Sequence, residues 1–218
     1  MKLLLISSSP RKAKSHTFLL AKEVLRGCNI KKTESEIIHL CDLKIEFCHH
    51  CEACHKKILA CSIRDDVNWV LKKMLDADGI ILASPNYINQ VSGSMKTFFD
   101  RSSHFIHCKR LLDKYVTGVV SSGSGQDKNV LDYIEYYAHT CGAQYSGGVS
   151  SAAYAVKDKL EDAYQLGKKL VQDIKEKRVF ADQMKIIKAG REHFKRIMQS
   201  RKDDWKKEYE FWQDKGWL

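Results

Sequence analysis

Two prolines and twelve glycines in 218 residues leave little material for flexible linkers, and the chain has neither a low-complexity tract nor an internal repeat. Collagenous, solenoid and disordered architectures are excluded on that ground. Long apolar runs are missing as well. Leu3-Leu4-Leu5-Ile6 is far shorter than a signal h-region and leads straight into Ser7-Ser8-Ser9-Pro10, so it reads as a buried strand rather than a targeting peptide. No stretch approaches the roughly 20 apolar residues of a membrane span. A cytoplasmic protein with no membrane partner is the expectation. In that reducing compartment, cysteines do not form a disulfide framework.

The formal net charge is +10. Residues 176–218 contain twelve Lys/Arg against eight Asp/Glu, so the surplus is spread along the chain and is not gathered into a basic tail. No dense patch or recognition module marks a nucleic-acid binder, and none is expected as a partner. Apolar and charged residues make up 44% and 29%, as in an ordinary globular chain able to bury a full core.

Apolar runs alternate with amphipathic segments. Residues 3–7, 36–40, 79–84, 115–121 and 144–150 read as strands. Residues 15–26 read as a helix stopped by Gly27, and Asp65-Asp66 as the cap and first-turn acid of the next helix. Further helices are expected over 94–105 and 128–140, then along a stripe from Val156 to Ile174. Near-continuous Ile and Leu at 80–82 suits a sheet covered on both faces. The pattern predicts a doubly wound α/β fold: a five-stranded parallel sheet in the flavodoxin-like order 2-1-3-4-5. The expected division is a sheet domain over 1–177 and a C-terminal helical extension over 178–218, where Trp205, Tyr209 and Trp212 fall at helical spacing. That stripe packs on its own domain, clamps a second subunit or covers a cofactor.

Half of the eight cysteines, Cys48, Cys51, Cys54 and Cys61, fall within fourteen residues of a loop at 47–62. The spacing C-x2-C-x2-C-x6-C resembles the bacterial-type iron–sulfur ligand run, in which closely spaced thiolates face one cluster. Zinc, with His49, His50 or His55 as co-ligands, lacks its usual two separated pairs. Free thiols are the third reading. His49 and His50 read as solvated loop residues, and Cys28, Cys41, Cys108 and Cys141 as buried small apolar residues.

Three loops meet the carboxyl edge of the predicted sheet, where such folds bind ligands. Ser7–Thr17 offers hydroxyls, Arg11 and a helix N-terminus to a phosphate. Ser84–Gly93 is long and carries Tyr87, suited to a flat heteroaromatic ring. Ser121–Asp127 is built of small residues that let a ligand approach the backbone.

With these motifs the chain resembles the NAD(P)H-dependent FMN reductases of the flavodoxin superfamily. Ser8-Ser9-Pro10-Arg11 with Ser15 and Thr17 is similar to the family's phosphate loop, although Ser8 stands for its glycine and Ser15 for its asparagine. Ser84-Pro85-Asn86-Tyr87, followed by Met95-Lys96 and Phe99-Asp100-Arg101, is similar to its second signature. The cysteine segment, Asp65-Asp66 and the ending Tyr209–Trp217 resemble the iron–sulfur flavoprotein branch. The resemblance implies FMN, with phosphate at Ser9, Arg11, Ser15, His16 and Thr17. It implies a ring along Pro85, Asn86, Tyr87 and Ile88 and at Ser122 and Gly123. It further implies a 4Fe–4S cluster on the four clustered cysteines, giving an FMN-dependent oxidoreductase that moves electrons between a reductant and an acceptor without a catalytic side chain. The implied partners are ferredoxin or another one-electron carrier, NAD(P)H or a small-molecule acceptor, and a second copy of the chain in a homodimer or homotetramer. A cluster-free NAD(P)H:flavin or quinone reductase and a non-catalytic flavin shuttle or redox sensor are the alternatives.

Overall fold

The computed structural model describes residues 1–29, 33–58 and 61–218. Five parallel strands, β1 (Lys2–Ser7), β2 (Glu34–His39), β3 (Gly79–Pro85), β4 (Tyr115–Ser122) and β5 (Gln144–Ala152), pair in the order β2-β1-β3-β4-β5. The flavodoxin-like topology expected from the sequence is therefore present. Because side chains alternate across a strand, each central strand feeds two cores. Leu4, Ile6, Ile80, Leu82 and Val116 point to one face, and Leu3, Leu5, Ile81, Ala83 and Val119 to the other.

Helices α1 (His16–Gly27) and α7 (Leu160–Glu176) cover the second face. They approach so closely that a Cβ on Gly27 would lie 2.0 Å from the Tyr164 carbonyl oxygen, and one on Gly167 2.0 Å from that of Val24. Gly27 is thus the last residue of α1 and a contact residue, and the cap falls on Cys28, one residue beyond the stop the sequence suggests. On the first face lie α3 (Val67–Asp76), α4 (Gly93–Asp100) and α6 (Lys128–Cys141). The helix expected over 94–105 is broken at Arg101-Ser102, where the chain turns into the short α5 (Ser103–His107).

Beyond the sheet, α8 (Ala181–Ser200) and α9 (Lys206–Asp214) form the C-terminal extension. Gln183 seals the edge of β5: its amide oxygen accepts from Tyr145 N–H at 2.7 Å and its nitrogen donates to Tyr145 O at 2.9 Å, which blunts an otherwise open ladder. Trp205 and Trp212 are buried with Cys108 and Met198, so those two rings pack on their own chain. Cys28, Cys108 and Cys141 are buried as expected; Cys41 is exposed, because it lies in the turn after β2 rather than on a core-facing strand. Among the described residues no helix is long and apolar enough to cross a membrane.

Candidate functional site

The strand order reverses between β1 and β3, and the loops after β1, β3 and β4 converge at that crevice. Ser8 N–H donates to Ala83 O at 2.9 Å, and Ser92 Oγ donates to Ser8 Oγ at 2.8 Å, which sews the first loop to the second. The positive-φ residue of the first loop is Lys12, not Ser8, so the serine stands there without left-handed strain. Its hydroxyl instead adds the bond to Ser92. Thr17 Oγ1 and Ser121 Oγ lie 2.6 Å apart, joining the first loop to the third, and Asn86 N–H donates to Ser121 O at 2.8 Å.

Ser9, Ser15 and Thr17 are buried, His16 is half-buried and Arg11 is exposed. Ser15 caps α1, accepting from Phe18 N–H at 3.3 Å. The first-turn N–H groups of His16 and Thr17 have no acceptor in their own helix, which is the anion-receptive state of a helix N-terminus. In the second loop, Tyr87 and Gln90 exchange backbone hydrogen bonds around Ile88 and Asn89, both at positive φ (53° and 55°). A β-branched residue is strained there. Ile88 is also 101% exposed. Such a turn holds an apolar side chain out at the mouth of the crevice. Asn86 Nδ2 donates to Gln126 O at 2.6 Å, while its buried Oδ1 has no partner among the described residues. Gly125 N–H donates to Ser122 Oγ at 2.7 Å, and a Cβ on Gly123 would meet nothing within 4 Å. Free first-turn N–H groups, an orphaned amide oxygen and open space over Gly123 fit a phosphate and a flat ring.

The second centre is the cysteine loop. Cys48, Cys51, Cys54 and Cys61 all line one cavity of about 80 Å³, together with Ile63, Asp100, Arg101 and Ser103 among others. Residues 59 and 60 of the loop lie outside the described residues. His49 and His50 are exposed, as expected, and His55 is buried in the short helix α2 (Ala53–Lys56). The sulfurs receive hydrogen bonds: Arg101 Nη2 donates to Cys61 Sγ at 3.1 Å and His50 N–H to Cys48 Sγ at 3.4 Å, and Ser62 Oγ lies 3.1 Å from Cys51 Sγ. The Ser62 hydroxyl, with the Ala53 N–H, holds the Cys51 thiol below its ordinary pKa and favours the thiolate a metal needs. Four cysteines lining one cavity, three with hydrogen-bond partners at sulfur, are a donor set that fits an iron–sulfur cluster.

Two supports hold this loop. Arg101 makes a bidentate pair with Asp65, at 2.6 and 3.1 Å, and donates to Glu46 O at 2.6 Å. Burial opposes the guanidinium charge, but the bonds to Asp65 and Cys61 outweigh it and raise its pKa. Asp65 rather than Asp66 accepts from Val67 N–H, at 3.2 Å, at the start of α3. Asp66 instead receives Lys44 N–H at 2.8 Å.

The other support comes from the extension. Glu208, fully buried on α9, accepts from His55 Nδ1 at 2.8 Å and from His107 Nδ1 at 3.0 Å. The two imidazoles stack at 4.8 Å, and Trp205 lies against both at 4.5 and 4.9 Å. Burial lowers the His55 pKa, but Cys54 and Glu208 more than offset this and bring it to about 10, so the ring is an imidazolium. Burial likewise opposes the charge of Glu208, yet its bonds from His107 and His55 hold its pKa below the usual carboxylate value. Glu52, at φ 58°, is fixed by Arg201 and by Trp205 Nε1 at 3.1 Å.

Glu208 was not recognisable from composition, since glutamate is almost never fully buried. A signal was available: Glu208 lies three residues after Trp205 and four before Trp212, on the apolar stripe, where Tyr209 had been placed.

The sheet order and the three loops at the switch point define a flavodoxin-like fold built to hold a flavin. Residues 1–163 match the NADPH-dependent FMN reductase family. The chain is 36% identical over 192 residues to an iron–sulfur flavoprotein of Methanocaldococcus jannaschii, covering 80% of this chain and 98% of the relative. It is 29% identical to an iron–sulfur flavoprotein of Archaeoglobus fulgidus across the full length of both. Among solved structures, a flavone reductase superposes with a TM-score of 0.66 at 22% identity, over 81% of this chain and 64% of the other. An NAD(P)H:quinone oxidoreductase of Methanothermobacter marburgensis gives 0.59 at 13% identity, over 78% and 96%. At those identities the structural likeness speaks for the fold alone. The chain belongs to the NADPH-dependent FMN reductase family, in its iron–sulfur flavoprotein branch, and its chemistry is FMN-dependent oxidoreduction.

Proposed function

We propose that the chain is a two-centre electron-transfer enzyme that moves electrons between a reductant and a one-electron carrier such as ferredoxin. In this reading FMN occupies the crevice and a 4Fe–4S cluster occupies the cysteine cavity. The FMN phosphate is received by Ser9 and Arg11 and by the N-terminus of α1 at Ser15, His16 and Thr17. The ring lies along Pro85, Asn86, Tyr87 and Ile88 and at the Ser122-Gly123 loop. Cys48, Cys51, Cys54 and Cys61 hold the cluster. When bound, FMN supplies two-electron and one-electron chemistry and the cluster one-electron chemistry. The protein contributes position, exclusion of water and electrostatics. The arrangement of four thiols around one cavity, with Arg101 donating to Cys61, carries the proposal.

The reductant is NAD(P)H or a reduced carrier, and the terminal acceptor is that carrier or a small molecule. Exposed Tyr87, Ile88 and Tyr154 near the crevice support a second copy completing the site, as a homodimer or homotetramer. Light scattering at micromolar concentration is expected to return more than one copy per particle.

The deciding experiment is the visible spectrum with iron and sulfide content of anaerobically purified protein, followed by turnover with NADH, NADPH and reduced ferredoxin. About four irons and one flavin per chain are expected. Flavin without iron would leave a cluster-free reductase. Protein that cannot be loaded with FMN would overturn the reading, and a loaded protein inert to all three donors would be a shuttle or sensor.

A further inference from the structure

Between α6 and α8 lies a cleft of about 610 Å³ that no part of the flavin crevice lines. That is the size of a small-molecule site. One wall is a run of aromatic rings: Phe99 and Tyr137 stack at 3.6 Å and 8°, with Tyr133 6.1 Å from Phe99 and 6.4 Å from Tyr136. At the mouth, Tyr136 is 65% and Ile186 56% exposed. The cleft shares Asp100 with the cysteine cavity, and that carboxylate is held by Lys96 at 2.5 Å.

The floor carries Lys109, only 2% exposed. Its ammonium donates to Thr140 O at 2.8 Å and lies 5.4 Å from the centre of the Phe194 ring. Among the described residues no carboxylate lies within ion-pair distance of it; burial lowers its pKa to about 8, and nearby Arg191 adds repulsion. The backbone is strained to keep it there, at φ 44°. Helix α8 carries Gly190 opposite, where a Cβ would stand 3.1 Å from the ammonium nitrogen. Glycine lowers helix propensity, and here its missing Cβ leaves room for the ammonium. His139 also lines the cleft; its buried Nε2 makes no hydrogen bond among the described residues and lies 3.9 Å from Glu135.

We propose that this cleft is a second ligand site, separate from the flavin crevice, for a flat aromatic carboxylate whose ring lies on the aromatic wall and whose carboxylate pairs with Lys109. A buried cation without a counter-charge favours an anion, and stacked rings favour a flat aromatic body. The proposal does not depend on FMN or the cluster.

The test is calorimetric titration of the full chain, saturated with FMN, with 2-naphthoate and with its neutral isostere 2-naphthamide. Naphthoate is expected to bind at least about tenfold more tightly, with the flavin spectrum unchanged. Lys109→Met removes the preference. Ile186→Glu, an exposed change that places a like charge at the mouth, weakens naphthoate several-fold and leaves naphthamide as it was, which keeps the test decisive if Lys109→Met does not fold. Equal affinities, or no naphthoate heat up to roughly millimolar concentration, would overturn the proposal. So would naphthoate binding that disappears as the protein self-associates, since the cleft would then belong to a second copy. If FMN does not load, the flavin reading fails by its absorbance while the naphthoate comparison still stands.

Discussion

Replacing Glu208 with glutamine tests the support beneath the cysteine loop. The volume is kept and the charge is lost. The carboxylate now accepts two N–H bonds, from His55 at 2.8 Å and His107 at 3.0 Å, with the side chain fully buried. A glutamine oxygen can accept one of these, while its NH2 group faces the other donor. The His55 imidazolium is left buried beside a neutral partner. Removing one member of a buried pair costs about 3–5 kcal/mol, because the remaining charge keeps its desolvation penalty. In a chain of this size about 1 kcal/mol moves the melting temperature by about 2–4 °C, so a fall of roughly 6–20 °C is expected. Thermal melts followed by circular dichroism measure it. Glu210→Gln on the same helix is the control, since Glu210 pairs with Lys207 at the largely exposed surface and should leave the melting temperature nearly unchanged. Hydrogen exchange should also show α2 opening sooner in the Glu208 variant. A melting temperature within about 2 °C of the parent would refute the claim that α9 anchors the loop through this carboxylate.

His104 is buried with both ring nitrogens unpaired among the described residues, and burial lowers its pKa to about 4. The unfolded chain takes up a proton near pH 6.5 that the folded chain refuses, so stability falls as pH drops from about 6.5 to 4, by on the order of 3 kcal/mol. His104→Leu should lose this part of the acid limb in urea melts, and an unchanged difference between pH 7 and pH 4.5 would refute the assignment. Gly167→Ala places a Cβ against the Val24 carbonyl at 2.0 Å and forces α1 from α7. The cost expected in urea denaturation is roughly 1–3 kcal/mol, despite the better helix propensity of alanine.

What the sequence disclosed depended on how local each signal was. Buried parallel strands are continuous apolar runs, so β1, β3 and β4 were legible almost to the residue. β2 was placed two residues late because its outward Glu34 and Ser35 give no apolar mark. The break after α4 was hidden, since Ser102 and Ser103 are ordinary helix residues; the chain turns there while Arg101 is drawn inward to Asp65, 36 residues away. Residue type alone points Cys41 to the core, though a turn after an edge strand leaves it exposed. The convergence of three loops was readable because a parallel sheet puts every strand's carboxyl end on one edge. Their cross-links, Ser8 to Ser92 and Thr17 to Ser121, were not, since a hydroxyl carries no mark of its distant partner.

The cysteine loop shows why a ligand motif is legible when its scaffold is not. The segment from Cys48 to Cys61 has few apolar residues of its own and, among its described residues, a single helical turn. Left-handed His50 and Glu52 would not persist in so short a loop unless neighbouring elements held them. The holders come from distant parts of the chain. Arg101, from the second family signature, fixes the Cys61 end through Asp65, whereas Arg201, Trp205 and Glu208 fix the Glu52–His55 turn from the extension. Each set alone would pin one end and leave the other free to swing. With both in place, the four cysteines line one cavity, so less binding free energy would be consumed in ordering the loop if a cluster were bound there. On this argument the extension is a structural part of the cysteine centre rather than an appendage to the sheet.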